Sequence, residues 1–142
     1  MTPEDIIDSL GLEPHPEGGW FRETFRAVSR GSERSTSSAI YYMLKADEQS
    51  RWHRVLDADE IWNWYAGGPL LMMLSGDARG REELILGANI VADERPQVVV
   101  PKGVWQSASP RDGWAFVGCI VAPAFRFEGF EMASDGWEPE HG

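Results

Sequence analysis

The stretch Arg51-Trp52-His53-Arg54-Val55, followed by Asp59-Glu60-Ile61-Trp62-Asn63-Trp64-Tyr65, decides the fold of this 142-residue chain. Both runs are short and aromatic, and they are typical of two strands joined by a turn. Side chains alternate between the faces of a strand, so His53 shares a face with Val55, and Glu60 with Trp62. If both faces point inward, an imidazole and a carboxylate meet among indoles inside one barrel. His53 and Glu60 are therefore candidate acid–base groups.

Short apolar or alternating runs recur along the rest of the chain, each bounded by Gly, Pro, Asp or Ser. The predicted strands cover residues 20–26, 38–44, 51–56, 60–65, 70–74, 83–86, 97–100, 105–107, 114–121 and 127–132. Ten short strands with frequent turns predict an all-β sandwich or barrel. Thr2-Pro3-Glu4-Asp5 predicts one short N-terminal helix, because Thr2 can cap it and Asp5 can complete a capping box.

Composition predicts one globular domain. Hydrophobic residues make up 42% of the chain and charged residues 25%, a balance that supports a single core. We place this domain at residues 1–133. The acidic stretch 134–142 is expected to be a flexible tail.

The charge balance and the cysteine count limit partners and location. The net charge of −10 repels phosphate backbones and anionic membranes, so we expect no nucleic-acid or membrane partner. Cys119 is the single cysteine, which excludes an internal disulfide. No apolar run approaches the roughly 18 residues of a membrane span, and the N-terminus lacks the apolar region of a signal peptide. The expected location is the cytoplasm.

A third polar candidate, Gln106, ends the run Pro101-Lys102-Gly103-Val104-Trp105-Gln106. This run resembles the second motif of the cupin superfamily, PxGxxH, except at its last position. His53, Glu60 and Gly67 match the first cupin motif, in which HxH is followed by Glu and then by Gly. The resemblance implies a double-stranded β-helix barrel, also called a jelly roll, with the motif residues converging at its mouth. It also implies a homodimer.

Two positions depart from the metal-binding cupin pattern. Val55 stands in place of the second His, and Gln106 in place of the His of the second motif. A complete cupin site offers three His and one Glu to a divalent metal, whereas this chain offers only His53, Glu60 and Gln106. High affinity normally needs three strong donors. A site for Fe, Mn, Ni or Zn on these three residues is therefore the alternative to metal-independent chemistry.

The chain is more closely similar to a branch of small cupins of unknown function. The resembling segments are His15-Pro16-Glu17-Gly18-Gly19-Trp20-Phe21-Arg22-Glu23-Thr24-Phe25, Ser50-Arg51-Trp52-His53-Arg54, Asp59-Glu60-Ile61-Trp62, Trp64-Tyr65, Gln97-Val98-Val99-Val100-Pro101, Val117-Gly118-Cys119 and Val121-Ala122-Pro123. The branch is expected to have His where this chain has Asn63, which lies on the face opposite Glu60.

The segment from Glu17 to Phe25 also resembles a stretch of the dTDP-sugar epimerases of the rhamnose pathway, which are metal-free cupins. Glu17 stands in the position of their Asp, and Gly18 in that of their Arg. Glu23 shares a face with Phe21 and Phe25, so it either binds ligand or pairs with a structural arginine. His15 is a further candidate that could reach the barrel mouth of its own or a partner subunit.

Aromatic residues complete the candidate site. The chain has seven tryptophans, and Trp62, Trp64 and Tyr65 either fill the core or stack on a flat, sugar-like ligand. Three functions follow: a metal-independent epimerase or isomerase that binds a small polar or sugar-like molecule, a metal-dependent dioxygenase or lyase, and a non-catalytic binding module. A cupin fold does not choose among them, because it hosts many chemistries.

Overall fold

The computed structural model describes residues 1–140, and these residues form two six-stranded, largely antiparallel sheets. The first sheet contains, in spatial order, β1 (Glu13–Pro14), β2 (Trp20–Arg26), β3 (Ser38–Leu44), β11 (Ala115–Ala122), β5 (Asp59–Gly67) and β9 (Gln97–Val100). The second contains β12 (Phe130–Met132), β4 (Ser50–Val55), β10 (Trp105–Pro110), β6 (Leu70–Ser75), β7 (Glu82–Leu86) and β8 (Glu94–Arg95). This architecture confirms the predicted all-β jelly roll.

The helix α1 (Pro3–Leu10) confirms the predicted N-terminal helix. The Thr2 hydroxyl accepts the Asp5 N–H at 3.1 Å, and the Asp5 carboxylate accepts the Thr2 N–H at 2.9 Å. Gly11 ends the helix with a φ of 65°, a conformation that favours glycine. Ile6 is buried on the outer face of the first sheet, so the helix supports the barrel from outside. No helix within residues 1–140 is long and apolar enough to cross a membrane.

The main core lies between the two sheets and follows the predicted alternation. On β5, Glu60 and Trp62 are both buried, whereas Ile61 between them is only half-buried. Tyr42 on β3 of the same sheet and Met72 on β6 of the facing sheet are both fully buried. This packing makes the barrel interior a dry, low-dielectric environment in which any polar group must find a partner.

A β-bulge in β4 changes the alternation beside the site. His53 is opposite Gln106 on β10, and Ser50 is opposite Ala108, so two residues of β4 face Ser107 alone. The extra residue brings Ser50 to the interior side, where it is buried. It also leaves the carbonyl of Arg51 2.8 Å from Nδ1 of His53. Bulges often aim groups in this way next to functional sites.

The predicted strand at 127–132 is divided into a 3-10 turn (Phe127–Gly129) and the short β12. The turn lies against Asp57, and a Cβ on Gly129 would collide with its carboxylate. That carboxylate accepts hydrogen bonds from Arg34 at 3.0 Å and from Arg126 at 3.0 Å. The resulting geometry places the ring of Phe130 over the end of the barrel.

The C-terminal stretch 134–140 is mostly exposed but contacts the barrel through Trp137, and the flexibility expected of this tail stays a prediction. The ring of Trp137 lies 4.6 Å from Trp105 and 6.2 Å from Trp52, between centroids. Trp137 is half-buried in this contact, whereas the acidic residues around it are exposed. Residues 141 and 142 belong to the predicted tail and lie outside the described residues.

Candidate active site

A small cavity of about 40 Å³ lies between the sheets at the end of the barrel covered by Phe130. Its titratable lining includes His15, Glu17, His53 and Glu60, and the Ser38 hydroxyl is a further polar group. A space of this size holds one or two water molecules. A larger molecule therefore enters only in part, or only after the wall at Phe130 moves.

His53 is a buried cation held at both ring nitrogens. Its Nδ1 lies 2.8 Å from the carbonyl oxygen of Arg51, which can only accept, so Nδ1 carries a proton. Its Nε2 lies 3.0 Å from Oε2 of Glu17. Burial by itself lowers the pKa of His53, but the charge and hydrogen bond of Glu17, with the charge of Glu60, raise it to about 9. The ring is therefore an imidazolium at neutral pH.

Glu17 is the anionic partner of His53, and it is 5% exposed. It lies in the turn between β1 and β2, and its carbonyl accepts the N–H of Arg51 at 2.8 Å. Burial raises the pKa of Glu17, but the charge and hydrogen bond of His53 outweigh burial, so the net pKa is lowered. Glu17 and His53 thus form a buried ion pair that joins the turn to the bulged strand. The sequence resemblance pointed to position 17, yet Glu17 was not among the predicted site residues.

Glu60 is the last of three side chains that are joined by hydrogen bonds. Trp62 Nε1 donates to Oε1 of Gln106 at 3.0 Å, and Nε2 of Gln106 donates to Oε1 of Glu60 at 2.8 Å. An indole N–H can only donate, so it fixes the orientation of the amide. Burial and the charge of Glu17 raise the pKa of Glu60 against the lowering effect of His53. Two buried carboxyl groups around one imidazolium thus have pKa values shifted in opposite directions.

The donor set does not fit a divalent metal. Both nitrogens of His53 carry protons, and the Gln106 oxygen already accepts the Trp62 N–H. Val55 presents an apolar wall to the cavity where metal-binding cupins have their second His. Within residues 1–140, no group of three or more His, Cys, Asp or Glu side chains has the arrangement of a metal site.

A metal analysis tests this assessment. We expect protein purified without a metal-affinity tag to contain well below one equivalent of Fe, Mn, Ni or Zn per chain. The reason is that the His53 nitrogens and the Gln106 oxygen, which would bind the metal, already take part in hydrogen bonds within the protein. Inductively coupled plasma mass spectrometry measures all four metals at once. One equivalent that is lost in His53→Ala but kept in the surface variant Glu83→Gln would contradict the expectation.

The structure brings together five of the eight predicted site residues. His15, His53 and Glu60 line the cavity, and Gln106 and Trp62 support Glu60 from the core. The ring of Trp62 packs edge-on against Tyr42, 5.7 Å between centroids, so it is core and has no free face for a ligand.

The other three predicted site residues lie away from the cavity. Trp64 is four residues, roughly 13 Å, along the strand from Glu60, and its Nε1 donates to Gly68 O at 3.0 Å. Tyr65 follows it on the opposite face and is 48% exposed. Glu23 pairs with Arg26 at 2.7 Å. The Glu23 side chain is 40% exposed and does not line the cavity, so it reaches solvent.

This jelly-roll fold, with His53 and Glu60 on strands of the two facing sheets, defines a cupin. The chain matches Cupin_5, described as cupin superfamily (DUF985), over residues 4–133, and it belongs to that family. No curated protein matches it.

Solved structures agree with this assignment. A protein from Shewanella oneidensis, known from a crystal structure, is 38% identical in sequence to this chain. The match covers 94% of this chain and 85% of that one, with a TM-score of 0.88. A hypothetical protein from Leishmania major is 29% identical, with a TM-score of 0.85 over 94% and 88% of the two chains. Oxalate decarboxylase from Bacillus subtilis, at 15% identity and a TM-score of 0.65 over 86% of this chain and 30% of its own, shows the fold alone.

Proposed function

We propose that the chain is a metal-independent isomerase or epimerase that moves a proton on a small polar, sugar-like molecule in the barrel. The observation that carries this proposal is the buried group Glu17–His53–Glu60, in which a fixed cation separates an ionised carboxylate from one with a raised pKa. Titratable groups whose pKa values are pushed apart are typical of acid–base sites.

In this proposal Glu60 moves the proton. As a carboxylate, Glu60 takes a proton from a carbon next to the substrate carbonyl, and the electron pair of the broken C–H bond passes to the carbonyl oxygen. The resulting enolate is stabilised by the positive charge of His53, whose two protons stay on its ring nitrogens and are donated in hydrogen bonds to Arg51 O and Glu17. Glu60 then returns the proton to the same carbon, which is inverted if the enolate has turned its other face. Return to the neighbouring carbon also requires the hydroxyl on the first carbon to pass its proton to the enolate oxygen, so that the carbonyl moves to the first carbon. Glu17 positions His53, and no electron acceptor or metal is needed.

Proton exchange with solvent tests the proposal without knowledge of the product. We expect wild-type protein in D₂O to exchange a C–H proton of at least one member of a panel of aldoses, ketoses and dTDP-sugars, followed by ¹H NMR. Glu60→Gln should lose at least about 100-fold of this rate, as expected when a general base is removed. The exposed Glu83→Gln serves as the control. Exchange that persists in Glu60→Gln would contradict the assigned role.

The exchange rate should also follow a bell-shaped pH profile. The acid limb reports Glu60, so it lies above the ordinary pKa of a glutamate, because Glu60 must be ionised to act as base. The alkaline limb reports His53 and lies near pH 9, where the imidazolium loses its proton. A profile without the alkaline limb would contradict the role of the His53 charge in stabilising the enolate.

A binding module without turnover is the second candidate. The observation in its favour is that both nitrogens of His53 already bind protein atoms, which leaves the ring no free site for substrate. Saturable binding of a panel member with no exchange in D₂O would support this function over catalysis.

The proposal includes a cytoplasmic homodimer, and an exposed apolar row supports the second copy. Ile120, Ile61 and Val99 are register partners on three adjacent strands of the first sheet. Val99 is 53% exposed and Ile120 38%. Apolar patches of this kind often mark interfaces.

We expect Val99→Lys to convert a dimer to a monomer in light scattering at micromolar concentration, whereas Val91→Lys, at a position that is also exposed, leaves the mass unchanged.

A further inference from the structure

We infer that His15 sets the substrate class of the cavity: its Nε2–H binds an uncharged oxygen, a hydroxyl or a carbonyl, and anionic groups are excluded from this position. The inference rests on the proposed function, because it assigns the substrate of the same site.

The hydrogen bonds of His15 fix its tautomer. Its Nδ1 accepts the backbone N–H of Glu17 at 3.1 Å. A peptide N–H can only donate, so Nδ1 holds a lone pair and the proton of the neutral ring is on Nε2. Burial lowers the pKa of His15, as does the charge of His53, although Glu17 opposes them. The ring is therefore a neutral donor.

This donor belongs to a mostly buried ring and has no protein acceptor within residues 1–140. The His15 side chain is 6% exposed, and no residue within 1–140 accepts a hydrogen bond from its Nε2. Polar groups on mostly buried side chains normally have a hydrogen-bond partner, so a donor without a protein acceptor binds water or a ligand. His15 lines the cavity that also holds Glu60. An oxygen atom of a bound molecule supplies the missing acceptor.

Aromatic neighbours hold the ring in one orientation. Phe21, Tyr42 and Phe130 pack edge-on against His15 with centroid separations of 4.5, 5.9 and 6.2 Å. These contacts restrict rotation of the imidazole, so the direction of the N–H is set before a ligand arrives. Such preorganisation favours selection of one acceptor position over another.

The charges around the cavity exclude an anion from this position. Two carboxyl groups line it, Glu17 and Glu60, whereas the one cation, His53, has both N–H groups bonded to protein. Neither lysine nor arginine lines the cavity. A carboxylate or phosphate there would be repelled at low dielectric, whereas a neutral oxygen accepts from His15 without this cost. The substrate class is thus a small neutral hydroxy-carbonyl compound, or the neutral end of a larger one.

Two probes of similar size, one neutral and one anionic, test the inference. Hydroxyacetone is neutral and lactate is an anion of similar size. Each is larger than one or two water molecules, so each enters the cavity of about 40 Å³ in part or after the wall at Phe130 moves. Binding is followed by the ¹⁵N shifts of the histidine side chains, which also report the tautomer. We expect hydroxyacetone to shift Nε2 of His15 and to bind at least 10-fold more tightly than lactate.

Two variants separate the donor from the packing. His15→Phe keeps an aromatic ring but has no N–H, and we expect it to lose at least 10-fold in hydroxyacetone affinity. His15→Gln keeps an N–H donor and should retain most of the affinity. Lactate binding as tight as hydroxyacetone, no hydroxyacetone binding at all, or full affinity in His15→Phe would each overturn the inference.

The binding readout keeps this test apart from that of the proposed function. Selective binding through His15 with no proton exchange on any compound would overturn the catalytic proposal and leave the inference in place. Exchange that is unchanged in His15→Phe would overturn the inference and leave the catalytic proposal in place.

Discussion

His53→Ala is expected to lower the free energy of unfolding by about 3–5 kcal/mol at neutral pH, a loss usual when one partner of a buried ion pair is removed. The substitution leaves the buried carboxylate of Glu17 without its cation and Glu60 without a compensating charge. Urea denaturation followed by tryptophan fluorescence measures the loss.

The pH dependence separates this electrostatic loss from a simple cavity. The folded pKa of His53 is raised from 6.5 to about 9. Its stabilisation is therefore fully present below about pH 6.5 and is lost as the pH rises through about 9. The gap between wild type and His53→Ala should shrink between pH 6.5 and 9.5. Val55→Ala, on the same strand and cavity wall, should cost the same at both pH values. A constant gap for His53→Ala would refute the buried ion pair.

Cys119 in the native protein is expected to react with methyl methanethiosulfonate at least about 100-fold more slowly than in urea, because reaction requires opening of the structure. The thiol is buried in the cavity wall, and burial together with the charge of Glu60 raises its pKa. Phe130→Ala removes the ring that covers this end of the barrel, so the native rate should rise at least about 10-fold. Mass spectrometry follows the reaction cleanly, since the chain has one cysteine.

A second phenylalanine provides the control for general destabilisation. Phe116 is half-buried on the outer face of the first sheet, beside the helix and away from the cavity. Phe116→Ala should lower stability without opening the cavity, so Cys119 should remain slow. Equal acceleration in both variants would mean that the thiol reacts through global unfolding, and Phe130 would lose its role as the wall.

Strand alternation and motif spacing predicted the part of the site that lies on regular strands. His53, Glu60 and Gln106 face the interior because each occupies an inward position of a register-matched strand. Tyr65 fails by the same rule, since it is one residue beyond the inward Trp64. Tyr65 was grouped with Trp62 and Trp64 because all three are aromatic, and the type of a residue does not tell on which face of the strand its side chain lies.

Groups held by irregular backbone were not predictable in this way. Glu17 lies in a turn and meets His53 across 36 positions of sequence, a contact that no local periodicity encodes. Ser50 reaches the interior only because the β4 bulge adds a residue. The docking of Trp137 likewise depends on the distant Trp52 and Trp105. Local patterns thus predicted the strands and two of the three buried charged groups of the site, His53 and Glu60, whereas the position of Glu17 depends on tertiary contacts.

The carboxylate of Asp57 has a consequence for anyone who wishes to re-engineer this barrel. Arg34, Arg126 and Gly129 come from two loops far apart in sequence, yet all three meet at that single side chain. A loop graft that replaces one of these segments would leave the others with an unpaired charge or a steric conflict. The rim of the barrel is therefore one module, and a wider opening calls for the simultaneous exchange of both loops and of the turn that carries Asp57.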